Sequence, residues 1–213
     1  MDDKRLNELL KWSVENSDVT KNDPNAAPPT SDLTPELMAA LMGGPSDADL
    51  MKASMDIITS DDAEQVSLDD KLIAFDNFEQ LIESLDNANN IANLGLWTPL
   101  LDQLKHAEPE VRKMAAWCIG TAVQNNVRTQ ERLLAMGGVP LLVSLAASED
   151  EPVDVRRKAV YALSSAVRNY QPSMDVFAEE LTNKGHATKK VDATNMEAVD
   201  EIVNGLREKI KKA

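Results

Sequence analysis

The sequence predicts an all-α protein built as a helical solenoid, and three features of its 213 residues support this. Aromatic residues make up only 4% of the chain and Gly occurs 8 times, which is less than a β-sandwich or barrel usually contains. Apolar residues recur at helical spacing in runs of about 8 to 18 residues, which Pro and Gly separate. A sixteen-residue block also recurs later in the chain, as in repeat architectures.

The first third of the chain is acidic and irregular. Residues 1–64 hold 14 acidic and 5 basic side chains, a net charge of −9 out of −14 for the whole chain. A short amphipathic helix is predicted first, with an apolar face of Leu6, Leu9, Leu10, Ser13 and Val14 and with Trp12 at its edge. Residues 17–33 contain three prolines and no periodicity. Residues 1–33 are therefore predicted to be a short helix followed by a flexible acidic linker.

Two short helices are predicted in a lead-in segment, residues 34–66. The first has Thr34 as its N-cap, Pro35 in its first turn and Gly43-Gly44 as its stop. The second begins at Ser46, where Asp49 completes a capping-box pattern. The apolar residues of this second helix are Leu50, Met51, Met55, Ile57 and Ile58.

A longer helix is predicted from Ser67, where Ser67-Leu68-Asp69-Asp70 is another capping-box pattern. A broad apolar face follows over roughly five turns. Its residues are Leu72, Ile73, Phe75, Phe78, Leu81, Ile82 and Leu85.

An internal repeat accounts for the helical segments predicted after residue 67. Residues 111–126 align with residues 155–170 at an offset of 44, with six of sixteen positions identical. Pro99-Leu100-Leu101 matches Pro140-Leu141-Leu142 at an offset of 41, and residues 70–84 fit the same register more weakly. Stacked units of this kind bury one continuous core. Residues 67–170 are thus predicted to hold the repeats and residues 171–213 to form C-terminal capping helices.

This period and the block Ala-Ala-Trp-Cys-Ile-Gly-Thr-Ala, residues 115–122, resemble the armadillo repeat. The resemblance implies a right-handed superhelix in which an Asn on each third helix lines a concave groove. The aligned positions here are Gln80, Thr121 and Ser165. The missing Asn ladder argues against a groove that holds the backbone of an extended peptide.

Three blocks narrow the resemblance: residues 72–79, residues 85–91 and residues 119–126. Their order and spacing are similar to those of the armadillo-type nucleotide exchange factors of seventy-kilodalton heat-shock (DnaK-type) chaperones, the Fes and Hsp-binding-protein group. Leu9-Leu10-Lys11-Trp12-Ser13 resembles the N-terminal helix of that family, and Asp154-Val155-Arg156 extends the match. The resemblance covers roughly residues 6–170.

The resemblance implies a co-chaperone and not an enzyme. The armadillo domain of such a protein embraces one lobe of the chaperone ATPase domain with its concave face, so that ADP leaves faster. It also implies that the N-terminal segment, residues 1–33 here, assists the release of substrate from the chaperone. The alternative from another class is a general armadillo adaptor that binds an extended peptide.

Polar clusters near the helix ends are the candidate partner-binding residues. They are Glu83, Asn87, Ala88, Asn89, Asn90, Gln124, Asn125, Asn126, Arg128, Arg168 and Asn169. The Asn residues at 87–90 are predicted to lie between helices, where the small Ala88 would allow close approach of a partner backbone. Turn formation and ordinary helix capping explain the same residues equally well, and both interpretations stay open at this stage.

Other function classes find little support in the sequence. The acidity disfavours nucleic acid and anionic membrane surfaces as partners. The lone Cys118 suits a reducing compartment, and with no apolar run of 18 residues or secretory leader the default is cytoplasmic or nuclear residence, of which the cytoplasm is the expectation. The protein is also expected to be a monomer. His106 and His186 lack companions at ligand spacing, so no metal site is predicted. The sequence has no Gly-rich phosphate loop and no nucleophile elbow, so no cofactor or catalytic site is predicted either. Trp97, Trp117 and Tyr161 are predicted to be core residues, and Cys118 an inert buried thiol.

Overall fold

A computed structural model describes residues 4–22, 28, 44–186 and 189–212, which form two units, Met1–Ser46 and Asp47–Ala213. The first unit contains α1 (Lys4–Glu15) and α2 (Asp18–Lys21). Helix α1 confirms the first predicted helix, but its predicted apolar face leaves Leu10 and Val14 more than half exposed.

Helix α2 is a single turn inside the predicted linker. It forms because the Ser17 hydroxyl accepts a hydrogen bond from the Thr20 amide at 3.3 Å, as an N-cap does. The helix predicted from Thr34 to Gly43 lies outside the described residues.

All regular elements in the described residues of the second unit are helices, with no strand among them, which confirms the predicted all-α class. Its helices are α3 (Asp47–Thr59), α4 (Leu68–Ile82), α5 (Leu85–Asn93), α6 (Trp97–Asp102) with a 3-10 turn (Gln103–Lys105), α7 (Pro109–Ala122), α8 (Val127–Ala135), α9 (Gly138–Ala147), α10 (Val153–Val167), α11 (Gln171–Asn183) and α12 (Met196–Lys212). None of the helices in the described ranges is long and apolar enough to cross a membrane.

Four helices form the repeating stack. Helices α4, α7, α10 and α12 begin at residues 68, 109, 153 and 196, and each packs against the next. Their starts follow the repeat of 41 to 44 residues that the sequence predicts. Helix α12 adds one further member, because it packs on α10 as α10 packs on α7. The second unit is therefore an armadillo-like stack in which each repeat covers the apolar face of its neighbour.

The start of α4 shows how the sequence determines these boundaries. The Ser67 hydroxyl accepts a hydrogen bond from the Asp70 amide at 3.2 Å, and the Asp70 carboxylate accepts from the Ser67 amide at 3.0 Å. The predicted capping box is thus confirmed. The bonds from Ser67 to the carboxylate also hold the pKa of Asp70 below its ordinary value.

One buried core runs through the second unit, from α3 to α12. Trp97 and Cys118 lie in it, as predicted. Helix α3 is one-sided: Met51, Met55 and Ile58 are buried, whereas Leu50 and Ile57 are exposed to 39%. Only one stripe of α3 faces a neighbour, since it packs mainly against α4.

Two helical glycines offer a test of the close approach between α7 and α10. A Cβ added at Gly120 in α7 would lie 2.5 Å from Tyr161 Cε1 and 3.0 Å from the Ala162 Cα, whereas one added at Gly205 in α12 would meet no atom within 4 Å. We expect Gly205→Ala to raise the free energy of unfolding by about 1 kcal/mol, the helix-propensity gain. Gly120→Ala is expected to lower it by about 1 kcal/mol, since overpacking outweighs that gain.

Urea denaturation of both variants measures these changes in stability. The midpoints of the transitions are compared, provided that the slope of the transition is unchanged. A Gly120→Ala variant as stable as Gly205→Ala would show that α7 and α10 do not touch at this glycine.

Candidate functional site

The stacked helices α4, α7 and α10 carry a set of matching positions that we call the third-helix face. Its members are Ile73, Asp76 and Gln80 on α4, Met114, Trp117 and Thr121 on α7, and Lys158, Tyr161 and Ser165 on α10. The face is open on α4, where Ile73 is 60% exposed, and half-buried or buried on α7 and α10. Ile73 is thus a large apolar side chain that the fold leaves uncovered.

A cleft of about 550 Å³ opens between α7 and α10 on this face. We call it the Trp117 cleft, and it is lined by Lys113, Met114, Trp117, Asp154, Arg157, Lys158 and Tyr161. The prediction that Trp117 and Tyr161 are core residues is wrong, because both are half-buried walls of this cleft. Their flanking apolar residues suggested burial, but Trp117 occupies the position that Asp76 holds on α4, which is the open side of the stack.

Lysine 158 is the central cation of the Trp117 cleft. Its Nζ atom lies 3.9 Å from the centroid of the Trp117 ring and 5.6 Å from that of Tyr161, within the range of cation–π attraction. Burial lowers the pKa of Lys158, and Lys113 lowers it further, while Glu79 opposes both. The cleft therefore holds a partly desolvated charge against an aromatic surface.

The three positions aligned with the armadillo Asn ladder differ in their surroundings. Thr121 donates a hydrogen bond to the buried carboxylate of Glu79 at 2.6 Å, which joins α7 to α4. Gln80 donates to Asp76 at 2.8 Å within α4, and Ser165 is buried. Two of these three positions are thus engaged in bonds of the repeat, and none carries Asn.

Cys118 lies beneath this network. Its thiol is fully buried, and burial together with the charge of Glu79 raises its pKa well above the ordinary value. A protonated, enclosed thiol is a poor nucleophile.

The predicted partner-binding residues at 87–90 lie inside helix α5, so the prediction that they lie between helices is wrong. Ala88 and Ile91 are buried on one side of α5, and this packing overrides the weak helix propensity of Asn. Because Ala88 is itself covered by the core, it offers no accessible surface for a partner backbone.

The Asn side chains of this region join elements of the fold. Asn87 donates hydrogen bonds to Asp47 at 2.8 Å and to the Leu81 carbonyl at 2.9 Å. The buried Asn126 donates to Asn89 at 3.2 Å, which links α8 to α5. Asn90 accepts a bond from Asn93 on the surface of α5.

The later predicted residues divide between capping and open surface. Asn125 and Asn169 adopt positive φ angles of 53° and 59° after α7 and α10, the left-handed conformation that ends helices. Arg168 bonds to Ser164 and to Asp200 of α12. The side chains that remain exposed form a rim, namely Glu83, Gln124, Asn125, Arg128 and Asn169.

These features define a class: an armadillo-like helical repeat protein whose third helices present an aromatic and basic cleft. Residues 6–91 match the family model described as nucleotide exchange factor Fes1, and residues 87–180 match the SIL1/FES1/HPBP1 C-terminal domain. The chain belongs to the Fes1 family of nucleotide exchange factors.

Named relatives agree with this family. The protein named Hsp70 nucleotide exchange factor FES1 of Gibberella zeae is 82% identical over 213 residues, all of both chains. The relative of the same name from Neurospora crassa is 51% identical over 247 residues, with 99% of this chain and 100% of the relative covered. That of Saccharomyces cerevisiae is 44% identical over 176 residues, with 81% of this chain and 59% of the relative covered.

The crystal structure of an engineered protein superposes with a TM-score of 0.53 at 19% identity, over 83% of this chain and 71% of that protein. At this identity the similarity concerns the fold alone.

Proposed function

We propose that this chain is a co-chaperone that binds the ATPase domain of a cytosolic Hsp70 (DnaK-type) chaperone and accelerates its release of ADP. The observation that carries the proposal is the 82% identity, over the full length of both chains, to a protein named Hsp70 nucleotide exchange factor. The chain would act as a cytoplasmic monomer and as a binding protein, without chemistry of its own.

The third-helix face supports this role as the docking surface. It combines an exposed Ile73 with the half-buried aromatic rings of the Trp117 cleft, and aromatic side chains are enriched at the centres of protein interfaces. The exposed rim residues Glu83, Gln124 and Arg128 follow the ends of α4 and α7 and begin α8. They would surround this surface and contact the same lobe of the chaperone.

The binding of ADP and the binding of the exchange factor to the chaperone are coupled thermodynamically. If the exchange factor weakens ADP binding, ADP must weaken the binding of the exchange factor by the same factor. A coupling free energy of about 3 kcal/mol corresponds to roughly 150-fold. The chain needs only to bind better to the chaperone conformation in which the nucleotide cleft is open.

The test is the dissociation rate of fluorescent ADP from a cytosolic Hsp70, with and without this protein. We expect a large acceleration that saturates with the concentration of the protein. A parallel arm with the isolated chaperone ATPase domain shows whether that domain is the partner. No acceleration in either arm, with a protein that remains helical, would reject the proposal and leave the peptide adaptor as the next hypothesis.

Removal of residues 1–33 tests the division of labour between the two ends of the chain. We expect the truncated protein to accelerate ADP release as the full chain does, because residues 1–33 lie outside the compact unit Asp47–Ala213. Release of a labelled peptide from the chaperone is expected to slow. Equal loss of both activities would contradict a separate role for the N-terminal segment.

The adaptor alternative receives less support. An extended peptide would need a ladder of side-chain amides along the groove, and of the three ladder positions only Gln80 carries an amide, whereas Thr121 and Ser165 carry hydroxyls. Gln80 and Thr121 already bond within the stack.

A further inference from the structure

We infer that the Trp117 cleft receives an acidic segment of the chaperone, in which an apolar side chain is flanked by carboxylates. This inference rests on the proposed function and names the chemistry of the partner at one place on the third-helix face.

The first argument is the local charge. The whole chain carries a net charge of −14, yet three cations, Lys113, Arg157 and Lys158, line the cleft against one carboxylate, Asp154. Asp154 is already paired with Lys113 at 3.2 Å. Arg157 is exposed and makes no hydrogen bond or ion pair with any residue of the described ranges. Arg157 is therefore left for a ligand, and the nearby carboxylate of Glu79 offsets Lys158 only in part, in a protein that otherwise repels anions.

The second argument is the apolar wall. The Trp117 and Tyr161 rings and the Met114 side chain form the apolar part of an open cleft of about 550 Å³. An apolar cavity of about 150 Å³ already accommodates benzene, so this open cleft has room for a large side chain and part of its backbone. Lys158 now covers the Trp117 ring. A carboxylate that attracts its ammonium group would uncover the ring for an apolar side chain of the same segment.

The third argument is that the cleft is not a general property of the repeat. The α4 positions equivalent to Lys158 and Tyr161 are Ile73 and Asp76, and α4 has no cation at these places. Stacking of the helices therefore does not require Lys158 or the aromatic pair. Their presence on α7 and α10, and not on α4, restricts the acidic segment to that part of the third-helix face.

Charge reversal tests the inference with the full chain and full-length chaperone. The double variant Arg157→Glu with Lys158→Glu is compared with Arg132→Glu and Lys105→Glu, which makes the same charge change at exposed residues outside the third-helix face. We expect the cleft variant to bind at least roughly ten-fold more weakly than the control variant, with a smaller dependence on salt. Circular dichroism and thermal unfolding check that both variants fold. If the charge-reversal variant does not fold, the milder variant Arg157→Gln with Lys158→Gln replaces it.

A synthetic peptide separates this inference from the proposed function. A twelve-residue peptide of Asp and Glu with one central Leu is titrated into the wild-type protein and both double variants. We expect binding to the wild type and the control variant and none to the cleft variant. If the wild type accelerates ADP release but charge reversal changes neither binding nor its salt dependence, the inference is overturned and the proposed function stands. If the wild type does not accelerate ADP release, the proposed function is rejected, whatever the peptide titration shows.

Discussion

Truncation of Phe78 to alanine is expected to lower the free energy of unfolding by about 3–5 kcal/mol. Phe78 is fully buried in α4 and is among the largest enclosed side chains of the protein. Its loss removes apolar burial and leaves a cavity that the neighbouring helices fill only in part. Urea denaturation measures the change, and the melting temperature should fall by on the order of 10 °C.

The repeat supplies a matched control for this substitution. Ile119 in α7 and Leu163 in α10 occupy the positions equivalent to Phe78, and both are fully buried. Ile119→Val removes one methylene from the same kind of site and should cost only about 0.5–1.5 kcal/mol. A cost below about 1 kcal/mol for Phe78→Ala would mean that α4 does not share the core of the stack.

The effect of Phe78→Ala is expected to spread along the stack. In a solenoid each unit is stabilised mainly by its nearest neighbours, and α4 packs against both α3 and α7. Loosening of α4 therefore exposes faces of two further helices. A fall in the slope of the urea transition would accompany separate unfolding of this end.

The helices of the stack were predictable because their signals are local. The Ser67 capping box starts α4, and Pro109 stands at the first position of α7. The repeat then fixes which helices are equivalent, and it places α10 correctly. A capping helix was predicted at the C-terminal end, but the repeat did not show that this helix, α12, continues the stack, because residues 196–212 share the period of the stack but little of its sequence.

The candidate site was harder to predict because its residues depend on which side of a helix stays uncovered. Trp117 and Cys118 are adjacent in sequence, yet the thiol is buried and the indole lines a cleft. Composition gives both the same apolar character. The alignment of Trp117 with the exposed Asp76 was the available signal, since equivalent positions of a repeat point to the same side of the stack.

The prediction that the Asn residues at 87–90 lie between helices was wrong because packing overrode a local preference. Asn favours turns when nothing else acts on the chain, but in α5 the buried Ala88 and Ile91 fix a helix. The turn preference did hold at Asn125 and Asn169, which end α7 and α10 with positive φ. At those two positions the chain leaves a helix and changes direction, so the left-handed conformation that Asn tolerates is the one required.

Replacement of Trp117 by alanine is the substitution with the largest expected effect on function. We expect binding to the chaperone to weaken by about 2 kcal/mol, roughly thirty-fold, as for a central aromatic anchor of an interface. The indole forms one wall of the Trp117 cleft and holds Lys158 at 3.9 Å. Its removal therefore costs both the apolar contact and the placement of the cation.

The dose dependence of ADP release measures this effect. The concentration of Trp117→Ala that gives half-maximal acceleration should rise roughly thirty-fold, whereas the plateau should stay near that of the wild type, because the coupling between the two sites is a separate quantity. Trp117→Phe keeps an aromatic face for Lys158 and should shift the curve by less than about ten-fold. Thermal unfolding of both variants accounts for any loss of folded protein.

Trp117→Ala and the charge reversal of Arg157 and Lys158 together separate the apolar and the charged contributions of the cleft to chaperone binding. An unchanged curve for Trp117→Ala, with an intact fold, would remove the cleft from the chaperone interface. Weakening by Trp117→Ala without weakening by the Arg157 and Lys158 reversal would assign an apolar segment to the cleft. Weakening by both, with a salt dependence that disappears only in the reversal, is what an acidic segment with an apolar side chain requires, because salt screens the carboxylates and leaves the indole contact unaffected.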